Sequence, residues 1–137
     1  VGLGWFGRFV TERRDPANKG KINVKLWGTL PLAEAVRLMA MRHGVARAGT
    51  LARIEGLRAA DVLGADEAEN LARAFATVTT LQLRQQLADY EGGKAIANFV
   101  DPDELSERQR DELREAFRAI AELRKRLAME FGQGGVW

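Results

Sequence analysis

The 137-residue chain contains no cysteine, one histidine, one tyrosine and three prolines. Without cysteine there can be no disulfide and no thiolate-held metal. A single histidine, His43, rules out a multi-histidine metal centre as well. The chain also lacks a long apolar run. Its apolar stretches are broken by Arg or Glu, so none of them could span a bilayer. No uninterrupted apolar segment follows the start, so a secretory leader is not expected. With the missing cysteine this points to a cytoplasmic protein. Neither sign of charge dominates: 21 Lys+Arg face 19 Asp+Glu, a net charge of +2. The signs mostly alternate along the sequence, as on solvated helix faces, which argues against nucleic acid as the partner.

What remains is an ordinary globular composition. Apolar residues make up 46% of the chain, enough to build one core at this length. Val1 is not an initiator Met, and the glycine-rich stretch 132–137 reads as a flexible tail, so we expect a fragment of a longer chain. Residues 1–30 carry no sustained period and form an irregular N-terminal arm. In it Asp15, Pro16, Asn18 and Gly20 mark a loop, and KINVKLWG alternates like a short strand or extended arm.

From Pro31 the pattern turns helical, and residues 31–131 predict a bundle. LPLAEAVRLMAMRHG is apolar nearly all round, which places it centrally, and His43-Gly44 ends it. Thr50 suits the N-cap of a second helix, with Leu51, Ile54 and Leu57 as its stripe. The third and longest segment carries Asp66, Glu67 and Glu69 near its start, Leu71, Phe75 and Val78 at helical spacing, and Gly92-Gly93 at its end. Ser106 and Gln109 make a capping box for the last helix, whose stripe is Leu113, Phe117, Ile120, Leu127 and Phe131. The fold class is therefore all-α, a four-to-five-helix bundle. The two longest helices should form an antiparallel pair joined by the 91–105 loop.

Four features compete for a functional role. GLGWFG, residues 2–7, spells G-x-G-x-x-G, but no strand precedes it, no long helix follows, and no acid lies some 20 positions on. No dinucleotide is expected there, and Trp5, Phe6 and Phe9 should lay their rings on the bundle or at an interface. Arg37 and His43 resemble the arginine–histidine motif of HEPN-type ribonucleases, in which His would act as acid or base and Arg would stabilise phosphate charge. The alternative is a capping His43 beside a solvated Arg42. Lys25, Arg37 and Arg84 stand out among the cations, the last two in apolar surroundings. Arg84 and its neighbours Gln82, Gln85 and Gln86 need hydrogen-bond partners, from a neighbouring helix or from a phosphate or carboxylate ligand. The carboxylates around Asp101-Pro-Asp103 are explained by helix initiation, so no metal ligands and no catalytic residues are assigned.

Two longer strings, KINVKLWGTLPLAEAVRLMAMRHGV and TLARIEGLRAADVLGADEAENLARAFATVTTLQLRQQL, together with LSERQRDELREAFRAIAELRKRL, carry a family resemblance. They resemble the C-terminal nucleotidyltransferase substrate-binding domain of bacterial signalling proteins that carry cyclic-nucleotide-binding and CBS domains. Those proteins are similar to PII-protein uridylyltransferases. Lys25, Gly28 and Leu30-Pro31 match the family's pattern before the first helix, and Arg37 matches its arginine within that helix. Arg84 and Gln86 match a Leu-Arg-x-x-Gln-like run loosely. Asn23 stands where an Asp is expected, so a charge that would serve the neighbouring domain's metal or substrate is missing.

The resemblance implies a non-catalytic helical module packed against a nucleotidyltransferase domain of the same parent chain. Lys25, Arg37, Arg84 and Gln86 would orient a nucleotide phosphate or an acceptor signalling protein, while Mg²⁺ and a nucleoside triphosphate would be held by the catalytic domain. No cofactor is expected in the fragment itself. A second reading is a structural bundle that docks or forms a homodimer through Trp5, Phe6 and Trp27. A third is the HEPN-like ribonuclease.

Overall fold

The computed structural model describes residues 2–133, and of Gln133 the backbone alone. Four helices account for the fold: α1, Leu30–Arg42; α2, Thr50–Ala59; α3, Ala65–Glu91; and α4, Glu107–Gln133. α3 and α4 form the long pair, joined by the loop of residues 92–106. The only sheet among the described residues is a two-residue antiparallel ladder, β1 (Ile22–Asn23) with β2 (Phe99–Val100), in which Ile22 faces Val100. The chain is all-α, with an irregular N-terminal arm. The last helix takes in Gly132 and Gln133; residues 134–137 of the expected tail lie outside the described residues.

The core sits where the stripes of all four helices meet. Leu32, Val36 and Met39 of α1, Ile54 and Leu57 of α2, Leu71 and Val78 of α3, and Leu113, Phe117 and Ile120 of α4 are buried together. Helix ends are satisfied largely as the sequence implies. Ser106 Oγ accepts from Gln109 N at 3.1 Å and Gln109 Oε1 accepts from Ser106 N at 2.8 Å, a reciprocal capping box. His43 closes α1, and Gly44 takes the left-handed conformation (φ +70°) that follows such a cap. The N-cap of α2 is Gly49, not Thr50, because its φ of +90° suits glycine alone. Leu51, expected in the stripe of α2, faces solvent.

Two further expectations change. α1 is not apolar on every side. Leu30, Glu34, Arg37 and Met41, at steps of four, three and four, form an exposed face, so the helix lies at the edge of the bundle. Its helical backbone also starts upstream of Pro31. Lys25–Thr29 form a π-helical turn that leads directly into α1, so only Ile22 and Asn23 of the strand-like segment are extended. Pro31 has no N–H to give and crowds a regular turn, and the wider turn before it accommodates both. Asn23 caps this turn: its Oδ1 accepts from Leu26 N at 3.0 Å. An Asn does this as well as an Asp, which gives the residue at this position a local structural role that needs no charge.

Candidate functional site

The arm begins as a tight hairpin. Leu3 bridges Phe9, Gly4 N donates to Arg8 O at 2.7 Å, and Val10 N donates to Gly2 O at 2.9 Å. α4 holds it down at several points. Gly2 lies flat on the Phe117 ring, where a Cβ would approach to 2.8 Å. Phe9 meets Phe117 edge-to-face with centroids 6.1 Å apart. The Arg114 guanidinium lies over the Phe9 ring at 4.7 Å and donates to Gly7 O at 3.1 Å. GLGWFG is thus a turn seated on a helix.

Its tip does not pack. Trp5 is 86% exposed and Phe6 97% exposed, so of the three aromatics expected to cover the bundle only Phe9 does. Phe6 sits at φ +57°, a left-handed conformation that is strained for an aromatic residue. A hydrophobic ring held in a strained turn and left in water is a feature of recognition sites more than of cores.

Behind the tip, the arm and the π-helical turn enclose a groove of about 850 Å³. Trp5, Phe9, Leu26 and Trp27 supply its apolar surface, and Arg8, Arg13 and Arg14 its charge. The one acid in its lining, Glu12, is turned to the backbone. Glu12 Oε1 accepts from the N–H groups of Arg13, Arg14 and Asp15 at 3.0, 2.7 and 3.2 Å. These bonds hold its carboxyl below the usual range, with those to Arg14 and Asp15 contributing most. Among the described residues no carboxylate pairs with the guanidinium of Arg8, Arg13 or Arg14. The groove is therefore a cationic cleft with aromatic walls.

The residues singled out by sequence divide between this groove and other places. Asn23, Trp5 and Trp27 line it, and Lys25, exposed on the π-helical turn, adjoins Leu26 and Trp27. Arg37 lies on the exposed face of α1. Arg84 is exposed, contrary to its apolar sequence context, in a smaller groove between α3 and α4 that also holds Arg73, Gln109 and Glu112. The glutamines around it find partners inside the fold. Gln82 accepts from Thr29 Oγ1 at 2.6 Å; Gln82 and Gln86 both donate to Asn98 Oδ1, at 3.2 and 3.1 Å; and Gln85 donates to Asp89 at 2.9 Å. Gln86 thus ties α3 to the β2 loop.

Arg37 lies on α1 and His43 caps its end six residues on, roughly 240° further around the helix axis. His43 Nε2 meets Glu130 Oε2 at 3.1 Å, and Arg42 joins the same carboxylate at 3.6 Å. Arg126 reaches both Glu130 and Glu67 and donates to Val62 O, so this cluster fastens α1, α3 and α4 together. That geometry gives the ribonuclease reading no support. Among the described residues no three acidic or histidine side chains are grouped so as to hold a metal ion.

Sequence reading missed Arg8, Arg13 and Arg14. The signal was three arginines within seven residues of a segment rich in Phe and Trp, GWFGRFVTERR. It became legible only when the 12–21 loop folded Glu12 onto its own backbone.

Residues 1–131 match the family described as "Putative nucleotidyltransferase substrate binding domain". The chain belongs to this family. The match takes in the arm and the π-helical turn as well as the four helices. No curated protein and no solved structure matches the chain significantly. No helix among the described residues is long and apolar enough to cross a membrane.

Proposed function

We propose that this domain is an accessory module that positions a substrate for nucleotidyl transfer catalysed by another domain of its parent chain. The observation that carries the reading is the cationic, aromatic-walled groove on a domain of this family, built from the arm and the π-helical turn. The chemistry is positional. Unpaired guanidinium groups bind and orient phosphate or carboxylate, and the scaffold beneath them is fixed by Phe117 and Arg114. The catalytic domain supplies the Mg²⁺ and the transfer chemistry at the nucleoside triphosphate, and the acceptor is a signalling protein of a cytoplasmic regulatory system. Phe6, outside the groove and almost wholly exposed, is the contact we assign to that catalytic domain.

The test is transfer of label from an α-labelled nucleoside triphosphate by the full-length parent, with and without the segment that corresponds to residues 1–131. The reading predicts that removing the segment raises KM for triphosphate or acceptor at least about tenfold. Unchanged KM and kcat would refute it.

A second reading, a docking or dimerising bundle, is favoured by one observation: Leu83, Leu87 and Tyr90 form an exposed stripe at steps of four and three on α3, with Ile96 also exposed. Light scattering over a concentration series decides it. A mass that stays monomeric rules out self-association.

A further inference from the structure

We infer that the groove between the arm and the π-helical turn is a nucleotide site of this domain's own, with the polyphosphate on Arg8, Arg13 and Arg14 and the base stacked on Trp5. The inference rests on the substrate-positioning reading and names its ligand.

Four observations converge on it. The groove's volume, about 850 Å³, lies within the roughly 300–1,000 Å³ typical of small-molecule sites. Its charge is one-sided, three arginines to one glutamate, and that glutamate is engaged by three backbone N–H groups. A groove of about 520 Å³ between α3 and α4 is lined instead by Arg73 and Arg118 against Glu112, Glu115 and Glu122, a balance that repels a polyanion. The aromatic component is equally specific. Trp5 faces water over 86% of its surface, on a strained turn whose backbone is tied to α4 through Gly7 O, and its ring neighbour is Phe6, with centroids 6.5 Å apart, so the indole is displayed to solvent at the groove. An arginine cluster beside an exposed indole fits a ligand with a charged tail and a planar head. An acidic protein segment would use the arginines but would have no specific need of the indole.

The experiment is titration of the 137-residue chain with ATP, UTP, tripolyphosphate, adenosine and a poly-glutamate peptide, read by calorimetry and by tryptophan fluorescence. Three proteins are compared: wild type, the triple variant Arg8→Ala/Arg13→Ala/Arg14→Ala, and Trp5→Ala. All four positions are exposed, so the variants should fold; far-ultraviolet circular dichroism confirms it. ATP or UTP should bind wild type and quench its fluorescence. The triple variant should weaken both nucleotides and tripolyphosphate at least about tenfold. Trp5→Ala should weaken the nucleotides about fivefold or more and leave tripolyphosphate unchanged. Absence of nucleotide binding at millimolar concentration overturns the proposal, as does binding that neither variant disturbs. Binding of poly-glutamate but not nucleotide also overturns it and makes the groove a protein-docking face. In any of these cases the substrate-positioning reading still stands or falls by the parent's KM values.

Discussion

Replacing Gly28 by alanine should destabilise the domain by about 1–2 kcal/mol, although alanine is the better helix former. Gly28 is buried in the π-helical turn where it crosses α3. A Cβ there would lie 2.8 Å from Val78 Cγ1, 3.1 Å from Val78 Cβ and 3.5 Å from Phe117 Cε1. Carbon pairs prefer about 3.5–4.0 Å, so the added methyl intrudes by most of an ångström. Val78 cannot turn away cheaply, because a β-branched side chain in a helix has one strongly preferred rotamer and this one is fully buried. Overpacking of this kind costs about 1–3 kcal/mol, and the gain in backbone propensity returns about 0.5–1. Thermal and urea unfolding read the result as a fall in Tm of about 3–8 °C at unchanged urea m-value. Val78→Ala alone should cost about 2–3 kcal/mol through lost methyls and a cavity. Combined with Gly28→Ala, the new methyl fills that cavity, so the double variant should be at least about 1 kcal/mol more stable than additivity allows. A Gly28→Ala protein as stable as wild type, with an additive double variant, would show that close approach is not why glycine stands there.

Other outcomes follow from the same structure. Ser106→Ala should cost about 0.5–2 kcal/mol in urea unfolding, because it opens the capping box of α4. Asn23→Asp should keep stability within about 0.5 kcal/mol, whereas Asn23→Ala should lose about 0.5–2, since the position serves as an N-cap; equal losses in both would refute that role. Asp89, nearly buried, accepts from Ala97 N at 3.0 Å and from Gln85 at 2.9 Å, which holds its carboxyl below the usual range. A folded-state pKa below the unfolded value of about 3.9 means its contribution is present above that pH and fades as pH falls through the folded pKa. Thermal melts from pH 6 to pH 2 should therefore show a flatter acid limb in Asp89→Asn, and a limb as steep as wild type's would count against it.

The bundle was legible because its signals are local. Leu113, Phe117, Ile120 and Leu127 keep helical spacing, and Ser106 and Gln109 announce α4 by residue type alone. α1 was harder: Pro31 looks like a helix start, and nothing in LWGTLP shows that a π-helical turn carries the helix through it. Arg37 and Arg84 drew attention through apolar neighbours, yet in each helix the exposed face passes through the arginine. The groove was the least legible part. It depends on two long-range contacts, Arg114 seating Phe9 and Gly2 lying against Phe117, and on a local fold-back in which Glu12 caps the N–H groups of the next three residues. An apolar pair such as Trp5-Phe6 reads as core until a left-handed Phe6 turns it outward.

The central claim is that substrate is held by the arm and the π-helical turn, and amide-shift mapping of the labelled chain during titration with ATP or UTP tests it most directly. The account predicts saturable shifts confined to residues 4–14 and 23–27, with the indole resonance of Trp5 among the largest. Shifts centred on Arg73 and Arg84 between α3 and α4, or no shifts at millimolar nucleotide, would contradict it.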